Sequence, residues 1–415
     1  MSKRLKKWIR KATAPKTPEA PRQSPDVYPT LPSPRPRLLT PSPSHESLVI
    51  STPLATSSSA LFQRLPYEIR RAILVEAFGD RILHMDLVFD HPKVPFGRKK
   101  LAELELEKYH CGYTRYSDED DGLFLSPFVV DKKKHKEWAW RGSVCHRRSE
   151  RMFWRDGERD RLEDPCYDSC LRKTPRVSCP HWPGESPGKC FIGIMGWLLT
   201  CRQAYTEGIE VLYSTNTIHL SDPELIRRLP DLLPPQRLAS IKMVEITYWF
   251  HADNPPRGQT SNKEGFDTML RAVPVSFPNL RKIHISPCGE WFPYIRNVTY
   301  RVGWYERDMF PRIREMMLQL DQLDECVLSM GHKKMWELQP DALRRGLKFP
   351  FPGDNYWQSA WRPLSLCMGP GTATEKTAKE LNSERGFWMV DGIEDDFGEP
   401  TPCFGSGWPN DWEPY

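Results

Sequence analysis

Cys166 and Cys170 are separated by three residues, and Cys179, His181 and Cys190 follow within the next twenty. Zinc takes four thiolate or imidazole ligands, and a Cys-x3-Cys pair can supply one half of a structural site. Cys179 and His181 are unusually tight for the second half, so free thiols in a polar segment are the competing reading. A catalytic zinc would also need a positioned general base, and none is evident nearby. Gly184-Glu185-Ser186-Pro187-Gly188 has the outline of a nucleophile elbow. That turn uses the N–H after the serine as an oxyanion donor, and Pro187 has none. No phosphate-cradling glycine loop and no His-Glu-x-x-His occurs. These residues predict no catalytic site, no enzyme activity and, apart from structural zinc, no cofactor.

Residues 131–161 offer a different chemistry. Eleven Lys/Arg and six Asp/Glu surround Trp138, Trp140, Phe153 and Trp154. Basic side chains among aromatics can follow phosphates and stack bases. The competing reading packs the tryptophans back onto the body, and the charge balance favours it. Of 59 Lys/Arg and 54 Asp/Glu in the chain, 10 and 3 lie in residues 1–60. The positive charge therefore belongs to this N-terminal arm, and the remainder is close to neutral. A sequence-independent nucleic-acid binder needs many phosphate contacts, so nucleic acid is not the expected partner.

The elements that would position these groups begin after the arm. Residues 1–60 contain eleven prolines and the steps Thr17-Pro18, Ser24-Pro25, Ser33-Pro34, Thr40-Pro41, Ser42-Pro43 and Thr52-Pro53. Such a segment buries too little apolar surface to offset its ordering entropy, so disorder is expected, with no contribution to the core. Leu5, Trp8 and Ile9 fall on one helical face among lysines and arginines, which reads as a nuclear-import patch or an acidic-surface contact. The longest apolar run, residues 191–201, is too short to span a bilayer. Eleven cysteines with no apolar leader after the basic N-terminus fit a reducing, intracellular setting, nucleus or cytoplasm.

Order is expected from Leu61. Pro66 suits a first helical turn, and Gly79 supplies the stop. Between them Ile69, Ile73, Leu74, Ala77 and Phe78 are expected to form one apolar face. Leu83, Met85, Leu87 and Phe89 then alternate with other residues as in a half-buried strand. Residues 61–90 thus form one unit and 91–190 a charged insertion with cysteines and tryptophans. A helix follows, for which Thr200 and Gln203 have capping-box spacing and Tyr205, Ile209 and Leu212 form the apolar face. Thr217–Leu220 reads as a strand.

Three helix-then-strand units come next. Leu225, Leu229 and Leu232 lead into Val244, Ile246 and Tyr248; Phe266, Met269 and Leu270 into Ile283 and Ile285; Phe310, Ile313, Met317 and Leu320 into Cys326 and Leu328. Strands joined through helices pair in parallel, and the near-regular spacing of Ile246, Ile285 and Leu328 suits a loose solenoid. The expected fold is mixed α/β: a helical start, the insertion, irregular helix–strand units over residues 191–331, and an irregular Trp/Pro/Gly-rich tail over 332–415.

Leu65-Pro66-Tyr67-Glu68-Ile69-Arg70, with Ile73 and Phe78, resembles the first helix of an F-box. It is similar to a group of largely uncharacterised fungal proteins with a truncated F-box start and a Glu-x-Arg signature, here Glu68-Ile69-Arg70. The stretch Leu198-Leu199-Thr200-Cys201-Arg202-Gln203-Ala204-Tyr205, continuing to Thr217, is similar to the same group. The resemblance implies a non-enzymatic protein-interaction module that binds a Skp-type adaptor and recruits substrates to a cullin ubiquitin ligase. Leu65, Pro66, Ile69 and Ile73 would be the partner-binding residues, with Leu65 turned to the adaptor and Ile73 toward the later helix. An F-box is contiguous, whereas here residues 79–190 separate the two halves. A scaffold without adaptor binding is the alternative, and a nucleic-acid-associated protein using the arm and residues 131–161 is the second.

Overall fold

The computed structural model describes residues 24–25, 27–31, 59–95, 128–131, 133–145, 190–250, 262–289, 305–331, 359–367 and 377–392. Its elements run α1 (Ala60–Arg64), α2 (Tyr67–Phe78), β1 (Ile82–Asp90), β2 (Lys93–Pro95), β3 (Phe128–Val130), β4 (Glu137–Val144), α3 (Met195–Leu198), α4 (Arg202–Ser214) and β5 (Thr217–Leu220). They continue with α5 (Pro223–Leu232), α6 (Pro235–Ser240), β6 (Met243–Phe250), α7 (Asn262–Ser276), β7 (Lys282–Gly289), α8 (Phe310–Leu318), β8 (Glu325–Gly331), β9 (Ser359–Pro363), α9 (Ala378–Ser383) and β10 (Gly386–Gly392).

Eight strands form one mixed sheet in the order β4-β1-β5-β6-β7-β8-β10-β9. The six inner strands are parallel, and antiparallel β4 and β9 close the two edges. Ile246, Ile285 and Leu328 sit side by side in register, as their spacing predicts. From β5 to β8 every crossover steps in the same direction. Right-handed crossovers that never reverse put their helices on one face of a sheet. The core bears this out. Leu225, Ile226 and Leu229 of α5, Phe266, Met269 and Leu270 of α7, and Phe310, Ile313 and Met317 of α8 pack with Ile218, Val244, Ile246, Ile283, Ile285 and Leu328 in one cluster.

Two readings of the sequence need correction. β1 is not half-buried: Leu83 and Leu87 face the core, yet His84 and Asp86 on its other side are buried too. It lies between β4 and β5 in the sheet. The stretch read as an insertion supplies β4, and the tail supplies β9, α9 and β10. Mixed charge and a glycine mask the strand period in Glu137–Val144, so no local signal marked it. Within the arm, residues 24–25 and 27–31 are described and touch the body. Tyr28 packs partly buried against the main core, and Leu31 donates its N–H to the Asp231 carbonyl at 2.9 Å.

Candidate functional site

The two segments that resemble an F-box, far apart in sequence, lie side by side in α2 and α4. Their junction is polar at its centre. Arg70 on α2 meets Glu207 on α4 in a two-pronged ion pair, Nε to Oε2 at 3.1 Å and Nη2 to Oε1 at 2.6 Å. Both side chains are less than a tenth exposed. Gln203, one turn before Glu207, donates to the same Oε1 at 2.9 Å, and Arg70 Nη1 donates back to the Leu65 carbonyl at 2.5 Å. The Phe62 ring of α1 lies 5.5 Å from the guanidinium and 5.7 Å from Trp197 of α3. Three helical segments thus converge on one buried cation, and the fourth packs against the ring that covers it. The Glu207 carboxylate holds the Arg70 guanidinium above its ordinary value, against burial, which lowers it.

That pairing turns α2 over relative to the apolar face expected from the sequence. The buried side carries Arg70 and Leu74, with Phe78 half-buried, while Ile69, Ile73 and Ala77 face solvent. Ile69 is 49% and Ile73 47% exposed, so Ile73 does not line a seam with α4. Leu65 is half-buried and Pro66 exposed. Pro66 is the N-cap rather than the first helical residue, and its carbonyl accepts the Arg70 N–H at 3.1 Å. Tyr67 donates to Glu210 at 3.3 Å; burial and then that carboxylate raise its phenol above the ordinary value.

The far end of the junction is fastened by Asn216, which is fully buried. Its Nδ2 donates to the carbonyls of Phe78 at 2.9 Å and Leu212 at 3.0 Å, and its Oδ1 accepts from Arg81 N–H at 3.0 Å. One amide therefore satisfies groups at the ends of both helices, which otherwise lack partners. Gly79 is required there, because a Cβ would come within 2.7 Å of Thr215 Oγ1. Ile194, Leu198 and Ile209 form a small core beneath, with Phe78, Trp197, Tyr205 and Leu212 against it. The start of α4 lies one residue beyond the expected cap: Cys201 Sγ accepts from Ala204 N–H at 3.4 Å, and Thr200 instead donates to the Trp197 carbonyl at 2.8 Å.

Of the expected zinc ligands, Cys190 is described and is fully buried. Cys166, Cys170, Cys179 and His181 lie outside the described residues, as do the Gly184–Gly188 turn and the basic first residues of the arm. Among the described residues no group of three or more His, Cys, Asp or Glu is placed to hold a metal. Burial raises the thiols of Cys326 and Cys367, the latter to about 11. Trp138 does pack back onto the body, against Tyr28 and Phe89, whereas Trp140 is exposed.

Sequence reasoning missed the sheet face opposite the core cluster. His84 of β1 and His219 of β5 are register neighbours, and their Nδ1 atoms lie 2.8 Å apart. His219 Nε2 is 2.9 Å from Thr247 Oγ1 on β6. One Nδ1 must carry a proton and the other accept it, so the three residues form a directed hydrogen-bond chain across three strands. His284 and Ser329 repeat the device on β7 and β8 at 2.7 Å. Nothing in the spacing marked it, because each histidine occupies an ordinary alternate position of its own strand. The chain members are nearly inaccessible, which suits a polar layer within the fold better than contact with a substrate.

The architecture defines a mixed α/β protein in which a helical cap, closed by a buried ion pair, flanks one end of a mostly parallel sheet. A family described as a domain of unknown function, DUF7730, matches residues 156–272, a span that includes α3, α4, β5 and β6. No curated protein and no solved structure matches the chain. Among the described residues, no helix is long and apolar enough to cross a membrane.

Proposed function

We propose that this chain is a non-enzymatic, F-box-like protein-interaction module, whose α2 face binds a Skp-type adaptor and links the α/β body to a cullin ubiquitin ligase. The observation that carries the reading is the exposed pair Ile69 and Ile73 on a helix whose other side is locked by Arg70 and Glu207. Residues four apart on a helix share a face, so the two isoleucines form a continuous apolar strip beside exposed Pro66 and half-buried Leu65. Single exposed apolar residues are ordinary; a paired strip at the start of a motif resembling an F-box supports a docking role. The separation of the two halves in sequence is no obstacle to it, because α2 and α4 pack together despite the intervening residues.

The test is direct binding of the purified chain to a purified Skp-type adaptor by calorimetry. Saturable binding that Ile69→Asp with Ile73→Asp abolishes supports the reading. Absence of binding by the wild-type chain ends it and leaves the scaffold alternative.

A further inference from the structure

Residues 24–25 and 27–31 belong to a short docked peptide with its own receptor on the body. Ser24 and Val27 close a turn, Val27 N–H to Ser24 carbonyl at 3.2 Å, with Pro25 in the position such a turn favours. The turn brings the Ser24 and Val27 carbonyls to one point, where both accept the indole N–H of Trp138, at 3.1 and 2.7 Å. Tyr28 then lies on the Trp138 ring, with centroids 4.6 Å apart and planes within 23°. The Arg228 guanidinium is 5.5 Å from the Tyr28 ring and is held there by Glu224 at 2.8 Å. Thr30 donates its N–H to the Tyr28 carbonyl at 2.9 Å, closing a second, three-residue turn centred on Pro29. Leu31 donates to the Asp231 carbonyl, one of the last-turn acceptors of α5 that the helix itself leaves without a partner.

This is the anatomy of linear-motif recognition: an aromatic anchor, hydrogen bonds to the main chain of a turned peptide, and prolines that limit the freedom lost on binding. The receptor side is rigid. Trp138 sits on β4, braced by Phe89 of β1, and Arg228 and Asp231 sit on a helix that is part of the main core. The ligand side is a segment whose neighbours in sequence are polar and proline-rich.

We propose that Trp138, Arg228 and the Asp231 carbonyl form a binding site for a turned peptide carrying a tyrosine followed by proline, occupied in cis by the segment around Tyr28 and available in trans to a segment of the same chemistry. Ordering a free peptide offsets much of what one stack and a few hydrogen bonds provide, so binding in trans is weak. Tethering changes this. A segment on the same chain meets its site at an effective concentration on the order of millimolar, against a trans dissociation constant on the order of 0.1 mM, so the arm holds the site about 90% occupied. A competing peptide then binds the intact chain about tenfold more weakly than a chain whose own anchor is missing.

The experiment uses the full-length chain and a fluorescent peptide of residues 22–33 as probe, read by anisotropy. The Tyr28→Ala chain is expected to bind the probe about tenfold more tightly than wild type, and Tyr28→Ala with Trp138→Ala to lose it. A probe carrying Tyr28→Ala requires no change in the body and is expected not to bind. Equal affinity of wild type and the Tyr28→Ala chain, no binding to that chain at about 1 mM, or undiminished binding of the alanine probe would overturn the proposal.

Discussion

Arg70 and Glu207 are 137 residues apart and meet in a buried, two-pronged ion pair that unites the two segments resembling an F-box. A guanidinium matches a carboxylate in plane, which gives the pair direction as well as attraction. Arg70→Met leaves Glu207 buried with only Gln203 beside it. Breaking such a pair from one side costs about 3–5 kcal/mol, while replacing both partners with apolar residues is far milder. In urea unfolding, Arg70→Met is expected to lower the midpoint strongly and Arg70→Met with Glu207→Met to recover most of the loss.

The exposed strip behaves oppositely. Ile69→Asp and Ile73→Asp place carboxylates in water, where surface changes stay within about 0.5 kcal/mol. Thermal unfolding near wild type for both variants is expected. A large loss would return Ile73 to the internal seam.

Asn216 joins the ends of α2 and α4 with one amide. Asn216→Leu leaves the Arg81 N–H and two carbonyls without it, each a partly buried polar group whose isolation costs up to about 1–3 kcal/mol. Relaxation recovers part, so a loss of about 3 kcal/mol is expected in urea unfolding. Hydrogen exchange of the Arg81 amide is expected to accelerate with it.

Burial alone sets an alkaline limit. The Cys367 thiol is raised to about 11, chiefly by desolvation. Below the unfolded value of about 8.5 both states keep the proton, and the thiol adds no pH dependence. Between about 8.5 and about 11 the unfolded chain releases it and the folded chain does not, so stability falls as pH rises. Cys367→Ala is expected to flatten that decline, measured as urea midpoints from pH 8 to pH 10. In the native state a thiol reagent near pH 8 is expected to spare Cys367.

The docked segment around Tyr28 is expected to add stability to the body. Tyr28→Ala removes a stacked aromatic pair, worth about 0.5–1.5 kcal/mol, and a loss of that size is expected in urea unfolding. A change too small to detect would restore the arm to a passive tail.

The sequence by itself determined the repeating units. Leu225, Leu229 and Leu232 recur at helical spacing and Val244, Ile246 and Tyr248 at strand spacing, and each unit buries its face against the next. Local period and neighbour order suffice for that, which is why Ile246, Ile285 and Leu328 were legible as equivalent positions before their register was visible. Which face of α2 turns inward was another matter. Ile69, Ile73 and Ala77 are the apolar choice by period, but Arg70 finds in Glu207 a partner that no local pattern announces, and a buried charge with its counter-ion overrides the simple apolar stripe. The same holds for His84 with His219, Asn216 with Phe78, and Tyr28 with Trp138. Each pair joins residues over 100 apart, and what selects it is the hydrogen-bond or ring geometry that exists only once the sheet has brought its strands together.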